Sequence, residues 1–225
     1  MTNEIHDRLQ EILHRIAKAA TRSGRNPHDI ALVAVSKTHA PEKIRAAYAA
    51  GARLFGESYA QELKAKHDEL SELDICWHFI GHLQRNKAKL IAPFIDTIQA
   101  LDSFKTSEML DKLALSPIKA LVHINLGHET TKSGIAPEEA FAFITEVKKF
   151  SRLNVTGLMC LPPFHADPEK SRPYFRELRC ILNHLNQQLP SPLSELSMGM
   201  SHDFEIAIEE GSTMVRIETA IFGER

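Results

Sequence analysis

The chain has 225 residues, 43% of them hydrophobic, a formal net charge of -2 and three scattered cysteines, Cys76, Cys160 and Cys180. Its length and apolar content suffice for one core in a single domain over 1–225, and a near-neutral charge without long runs of one sign offers no bulk surface to nucleic acid. The cysteine spacing excludes a disulfide framework or zinc knuckle and points to a reducing, cytoplasmic setting, while MTNEIHDRLQ lacks the apolar run of a signal peptide and no window is long enough to span a bilayer.

Residues 1–24 predict an amphipathic helix packing on the rest, with Ile5, Leu9, Ile12, Leu13, Ile16 and Ala20 on one face. Ser23-Gly24 stops it, because glycine tolerates the left-handed conformation after a helix. Strand and helix then alternate. IALVAVS (30–36) reads as a strand, and PEKIRAAYAAG (41–51) as a helix with proline in its first turn. Strands follow at 52–58, 75–83, 96–103, 118–126, 154–161, 193–199 and 213–223. Helices are expected at 59–70, 84–94, 104–115 and 137–150, then around Phe175, Leu178, Ile181, Leu182, Leu185 and Leu189, and through FEIAIEEG. Eight strands result, each but the last followed by a helix, with a repeat of roughly 25–30 residues, the size of a βα step. Several strands are apolar on consecutive positions, as when both faces are covered. The pattern predicts an α/β fold, a (β/α)₈ barrel of the TIM type with an added N-terminal helix. An open doubly wound sheet is the alternative.

In such a barrel the working residues lie where strands end and βα loops begin. Those points are Lys37, Glu57 and Ser58, His82, Asp102, Asn125, Met159 and Cys160, the stretch SMGMS (197–201), and Arg216 with Glu218 and Thr219. Lys37 is either a rim lysine whose head reaches solvent or a partly desolvated amine able to form a Schiff base with a carbonyl ligand. SMGMS precedes a helix, so it is either a Ser201 N-cap or a phosphate cradle, in the strand seven to eight region where barrels often bind phosphate. Arg216, among apolar neighbours, is a structural ion-pair partner or a fixed donor to a ligand. His78 and His82 lack a third metal ligand, and Cys160 reads as a small buried hydrophobe. Lys132, on the loop after strand five, is a conceivable secondary amine or a solvated loop residue.

A strand-end lysine, a phosphate cradle and a buried arginine together suggest pyridoxal 5′-phosphate, with its aldehyde at Lys37, its phosphate at SMGMS and its ring nitrogen at Arg216. At these residues the chain closely resembles the pyridoxal phosphate homeostasis protein family. The resemblance rests on LVAVSKTH (32–39), LFGESYAQE (54–62), WHFIGHLQRNK (77–87), GLMCLPP (157–163), SRPYF (171–175) and SMGMSHDFEIAIEEGSTMVRIETAIFG (197–223). It implies a barrel like the N-terminal domain of alanine racemases, a Schiff base on Lys37, and a role in keeping pyridoxal phosphate at usable levels. The cofactor-binding set it implies is Lys37, Ser58, His82, Met159, Ser197, Gly199, Ser201, Arg216, Glu218 and Thr219. Transient contact with apo-enzymes that use the cofactor is a further expectation; the charge and hydropathy pattern gives none with nucleic acid or membrane, and since nothing in the sequence demands a partner, a cytoplasmic monomer is expected.

Two positions depart from the family pattern: Ser58 stands where Asn is usual, and Glu218 where Gly is usual. A carboxylate near a dianionic phosphate is repulsive, so Glu218 is expected to point away, pair with a base or weaken the phosphate grip. An arginine facing the ring nitrogen stays protonated and leaves the ring a weaker electron sink. With the chain ending at Arg225, no further domain is expected to bring a second proton-transfer group. The expectation is a carrier with little catalysis; the alternative is a pyridoxal-phosphate-dependent amino-acid racemase or a related enzyme.

Overall fold

The computed structural model describes residues 2–127 and 133–224, so Lys132 lies outside the described residues. Eight parallel strands close into a barrel in the order in which they occur in the chain. They are β1 (Ala31–Val35), β2 (Leu54–Glu57), β3 (Cys76–Phe79), β4 (Thr97–Leu101), β5 (Ile118–His123), β6 (Leu153–Met159), β7 (Glu195–Ser197) and β8 (Met214–Ile217). Closure is made by β1 on β8, in register from Ala31↔Met214 to Ala34↔Ile217. The helices are α1 (Thr2–Arg22), α2 (Pro41–Ala49), α3 (Ala60–Glu69), α4 (Ala88–Ile91), α5 (Phe104–Leu113), α6 (Ala140–Val147), α7 (Arg172–Asn186), α8 (Phe204–Glu209) and α9 (Thr219–Phe222). The expected barrel is therefore present, and the open sheet is not. Among the described residues no helix is long and apolar enough to cross a membrane.

Helix α1 packs on α2, α8 and α9. Ile5, Leu9, Ile12, Ile16 and Ala20 are buried there, but Leu13, expected with them, is 41% exposed because it falls at the edge of the stripe. The helix ends as read. Gly24 takes φ 71, and Arg25 N–H donates to Ala20 O at 2.9 Å, a Schellman closure.

Two apolar layers follow from the period of two along each strand. Outward residues such as Ala34, Phe55, Ile98, Leu158 and Val215 meet the helices in the main core. Inward residues form a small second core of Val33, Ala100, Leu121, Met159 and Met214. The strands are shorter than expected, most clearly the last. Past Ile217 the register with β1 runs out, and Ile221 and Phe222 N–H both donate to Glu218 O. The stretch TAIF is thus a helical turn, so the eighth strand also has its helix.

One buried cluster fixes the end of β1. Lys66 of α3 spends all three ammonium protons, on Ser36 O at 2.7 Å, Glu57 Oε1 at 2.7 Å and Glu62 Oε1 at 2.6 Å. Ser36 Oγ donates to the same Glu57 oxygen at 2.6 Å. Glu57 Oε2 is buried without a hydrogen-bond partner among the described residues. Burial pushes Glu57 up to about 7 against the pull of Lys66 and its hydrogen bonds. Glu62 Oε1 also accepts Thr38 N–H at 2.6 Å, and His39 N–H closes the turn onto Ser36 O at 3.0 Å. Within that turn Thr38 sits at φ 63, a left-handed conformation that costs a β-branched residue about 1–3 kcal/mol. The cluster supplies the restraint that this conformation needs.

Removing the ammonium while leaving Glu57 buried has a predictable cost. Lys66→Met is expected to lower unfolding free energy by about 3 kcal/mol in urea titrations. Adding Glu57→Gln, which removes the stranded charge, is expected to recover part of that loss.

Candidate functional site

The expected residues fall into three groups at the C-terminal end of the barrel. The first joins β1 to β8. Lys37 continues the inward row of Val33 and Val35, and Glu218 that of Met214 and Arg216. Their side chains meet, with Lys37 Nζ 3.1 Å from Glu218 Oε2, at 29% and 16% exposure. Glu218 N–H donates to Ser201 Oγ at 3.2 Å. Ser201 is therefore not the N-cap of α8; Asp203 holds that position, and its Oδ1 accepts Met200 N–H at 2.8 Å. Gly199 makes this turn possible. It takes φ 92, and a Cβ there would lie 2.5 Å from Ala207 Cβ and 2.9 Å from Phe204 Cα. Ser201, His202, Thr219, Ala220 and Gly223 line a cavity of about 460 Å³, with Arg8 of α1 on its wall. The two turns are also tied behind the site. The His39 ring lies 5.0 Å from that of Phe222, and Lys43 Nζ donates to Phe222 O at 3.1 Å.

The second group is a polar seam through the barrel. Arg216 is buried, and burial lowers its pKa from the ordinary guanidinium value. Nη1 donates to Ser197 Oγ at 2.5 Å and Nη2 to Cys160 O at 2.9 Å, so these partners are neutral acceptors rather than an ion pair. Ser197 Oγ donates on to Gln99 Oε1 at 2.6 Å, and Gln99 Nε2 donates to His78 Nδ1 at 2.8 Å. Four strands are linked in one direction, which leaves the His78 proton on Nε2. Ser197 is thereby committed to Arg216, while Ser201 is joined to Glu218 N–H. Met159 is buried beside them, in register with Ser197 and His123. Burial pushes the Cys160 thiol up to about 12, the behaviour of an inert core cysteine.

The third group stands apart. Ser58 and His82 share a cavity of about 420 Å³ between β2 and β3. His82 is exposed, and its Nδ1 lies 3.2 Å from Asp102 Oδ2. Contacts on the described residues do not link this pair to Lys37.

The sequence reading missed Gln99 and Lys66. Gln99 carried a signal: a polar residue inside TIQAL, as Arg216 is inside MVRI. Lys66 carried one too, since it shares the helical stripe of Ala60, Leu63 and Leu70, all buried.

A parallel eight-stranded barrel with an amine at its mouth, beside hydroxyls at the start of a helix, is the architecture of an alanine-racemase-type barrel. The alanine racemase N-terminal domain family indeed matches residues 8–225. The pyridoxal phosphate homeostasis protein of Aquifex aeolicus is 42% identical over 97% of both chains. A protein of unknown function from Bifidobacterium adolescentis superposes with TM-score 0.91 at 33% identity, over 98% of this chain and 95% of its own. PipY of Synechococcus elongatus, solved with PLP bound, superposes with TM-score 0.85 at 35% identity, over 97% of this chain and 100% of its own. The chain belongs to the pyridoxal phosphate homeostasis protein family.

The seam makes stability depend on pH. Burial holds His78 and His123 down at about 4, against 6.5 when free. Below 6.5 the unfolded chain binds protons that the fold refuses, so their contribution is complete above 6.5 and lost as pH falls toward 4. Each contributes a slope of up to about 1.4 kcal/mol per pH unit. Glu57, raised from 4.5 to about 7, acts with the opposite sign between those values. Comparing variants isolates the histidine: His78→Asn, which keeps an acceptor for Gln99, is expected to flatten the acid slope of unfolding free energy by one proton.

Proposed function

We propose that this chain binds pyridoxal 5′-phosphate and buffers it, holding it as a Schiff base on Lys37 and catalysing little. The observation that carries the reading is the position of the Lys37 amine, at the barrel mouth and joined through Glu218 to the Ser201 turn. Ser201 and Thr219 supply hydroxyls at the start of α9, with Arg8 as a nearby cation. This donor set fits a phosphate, apart from the carboxylates of Glu218 and of Glu224, which also lines the cavity. When bound, the cofactor supplies an aldehyde electrophile and an electron-withdrawing ring.

The remaining parts belong to the chain. Arg216 offers N–H donors held in place by Ser197 and Cys160 O, and Gln99 holds Ser197 in turn. A guanidinium keeps its proton, so Arg216 orients a ring nitrogen without protonating it. That leaves the ring a weaker electron sink, which favours a holder over a racemase. Ser197 serves in this reading as the positioning partner of Arg216, and Ser201 with Thr219 as the phosphate contacts. Met159 forms an apolar floor, while Ser58 and His82 form the rim on the β2 and β3 side.

Purified protein incubated with pyridoxal 5′-phosphate is expected to gain a visible absorption band that borohydride removes. The label is then expected on the peptide containing Lys37, and Lys37→Ala is expected to abolish both. A protein that stays colourless with added cofactor overturns the reading; turnover of amino-acid enantiomers, lost in Lys37→Ala, overturns the holder in favour of the enzyme.

A further inference from the structure

Lys37 and Glu218 face each other because the scaffold brings their turns together. Hydrogen bonds from Lys66 and to Glu62 hold the first turn, and Ile221 and Phe222 N–H shape the second around Glu218 O. The His39–Phe222 and Lys43–Phe222 contacts join one to the other. A carboxylate fixed 3.1 Å from Nζ, with both side chains mostly buried, is a paired ion and not a passing surface contact.

Such a pair opposes the chemistry expected of the amine. Addition to an aldehyde uses the Nζ lone pair, so the ammonium must first give one proton to solvent. The C–N bond then forms, the carbonyl oxygen leaves as water, and the nitrogen keeps at most one of the three N–H donors of the ammonium. The pair with Glu218 is therefore stronger in the empty site, and the difference lowers ligand affinity.

We propose that Glu218 is a latch on Lys37: its carboxylate holds the amine in the empty barrel, slows capture of an aldehyde ligand and favours its release. The proposal rests on Lys37 being the cofactor-bearing amine. It makes Glu218 a positioning residue that acts on any aldehyde, separately from its repulsion of a phosphate.

The test uses the full chain stripped of cofactor with hydroxylamine. Reductive methylation with formaldehyde and cyanoborohydride, followed by mass spectrometry of the Lys37 peptide, reads the amine with no cofactor present. Glu218→Gln keeps the side-chain shape and removes the charge; it is expected to methylate Lys37 about fivefold faster, the other lysines serving as reference. Kd is expected to fall about fivefold for pyridoxal, which has no phosphate, and further for pyridoxal 5′-phosphate. Glu218→Gly, checked for a native melting curve, is expected to give the same ordering. Unchanged methylation and unchanged pyridoxal affinity overturn the latch and leave the proposed function standing. A gain confined to the phosphate ester also overturns it, since repulsion alone then suffices. If methylation rises and neither pyridoxal compound reacts at Lys37, Glu218 restrains the amine but the latch on a ligand falls with the cofactor reading.

Discussion

The barrel mouth depends on one buried ammonium. Lys66 reaches from α3 to the carbonyl that ends β1 and to the carboxylate that ends β2. Neither contact would hold alone, because a lysine in that layer without carboxylates would be strongly disfavoured, as would Glu57 without it. Together they make a joint that cannot slide, and Thr38 takes its left-handed turn against that joint. The direction of Lys37 is thus set by charges that lie outside the barrel wall, among the helices.

A second constraint lies inside the wall. Most barrel interiors are filled by branched apolar side chains, and here those are confined to a small cluster around Val33 and Leu121. Beside it runs the seam from Arg216 through Ser197 and Gln99 to His78. Two of the Arg216 N–H groups have neutral acceptors, and each hydroxyl and amide along the path passes the chain on, which holds the buried guanidinium in place. The seam has a cost at low pH, because His78 must stay neutral for its Nδ1 to accept from Gln99.

The βα alternation was legible because burial on both faces leaves apolar runs, and because Gly24 and Pro41 mark helix ends by local backbone chemistry. Strand ends were less legible: IETAIF is apolar enough for a strand, and only the register of β1 against β8 decides where pairing stops. Lys37, Ser201 and Arg216 could be found because each breaks an apolar pattern at a strand end. Their partners could not, since an ion pair between residues 37 and 218 is a product of closure, and closure brings together the two ends of the sequence. For the same reason Ser197 and Ser201, neighbours in one motif, serve different groups: four residues past a strand end, the chain has already turned from the interior to the rim.

The character of the site follows from what its charges can give up. Arg216 retains its proton under any condition the fold survives, so the seam can orient a ligand but cannot drive a proton into it. Glu218 holds Lys37 from the opposite side, and in the proposed latch the departure of a ligand restores that pair. An efficient catalyst needs interactions that strengthen toward the transition state; the Lys37–Glu218 pair, in the proposed latch, weakens on capture instead. Under the proposed function, a barrel arranged in this way favours release of an aldehyde ligand over its retention.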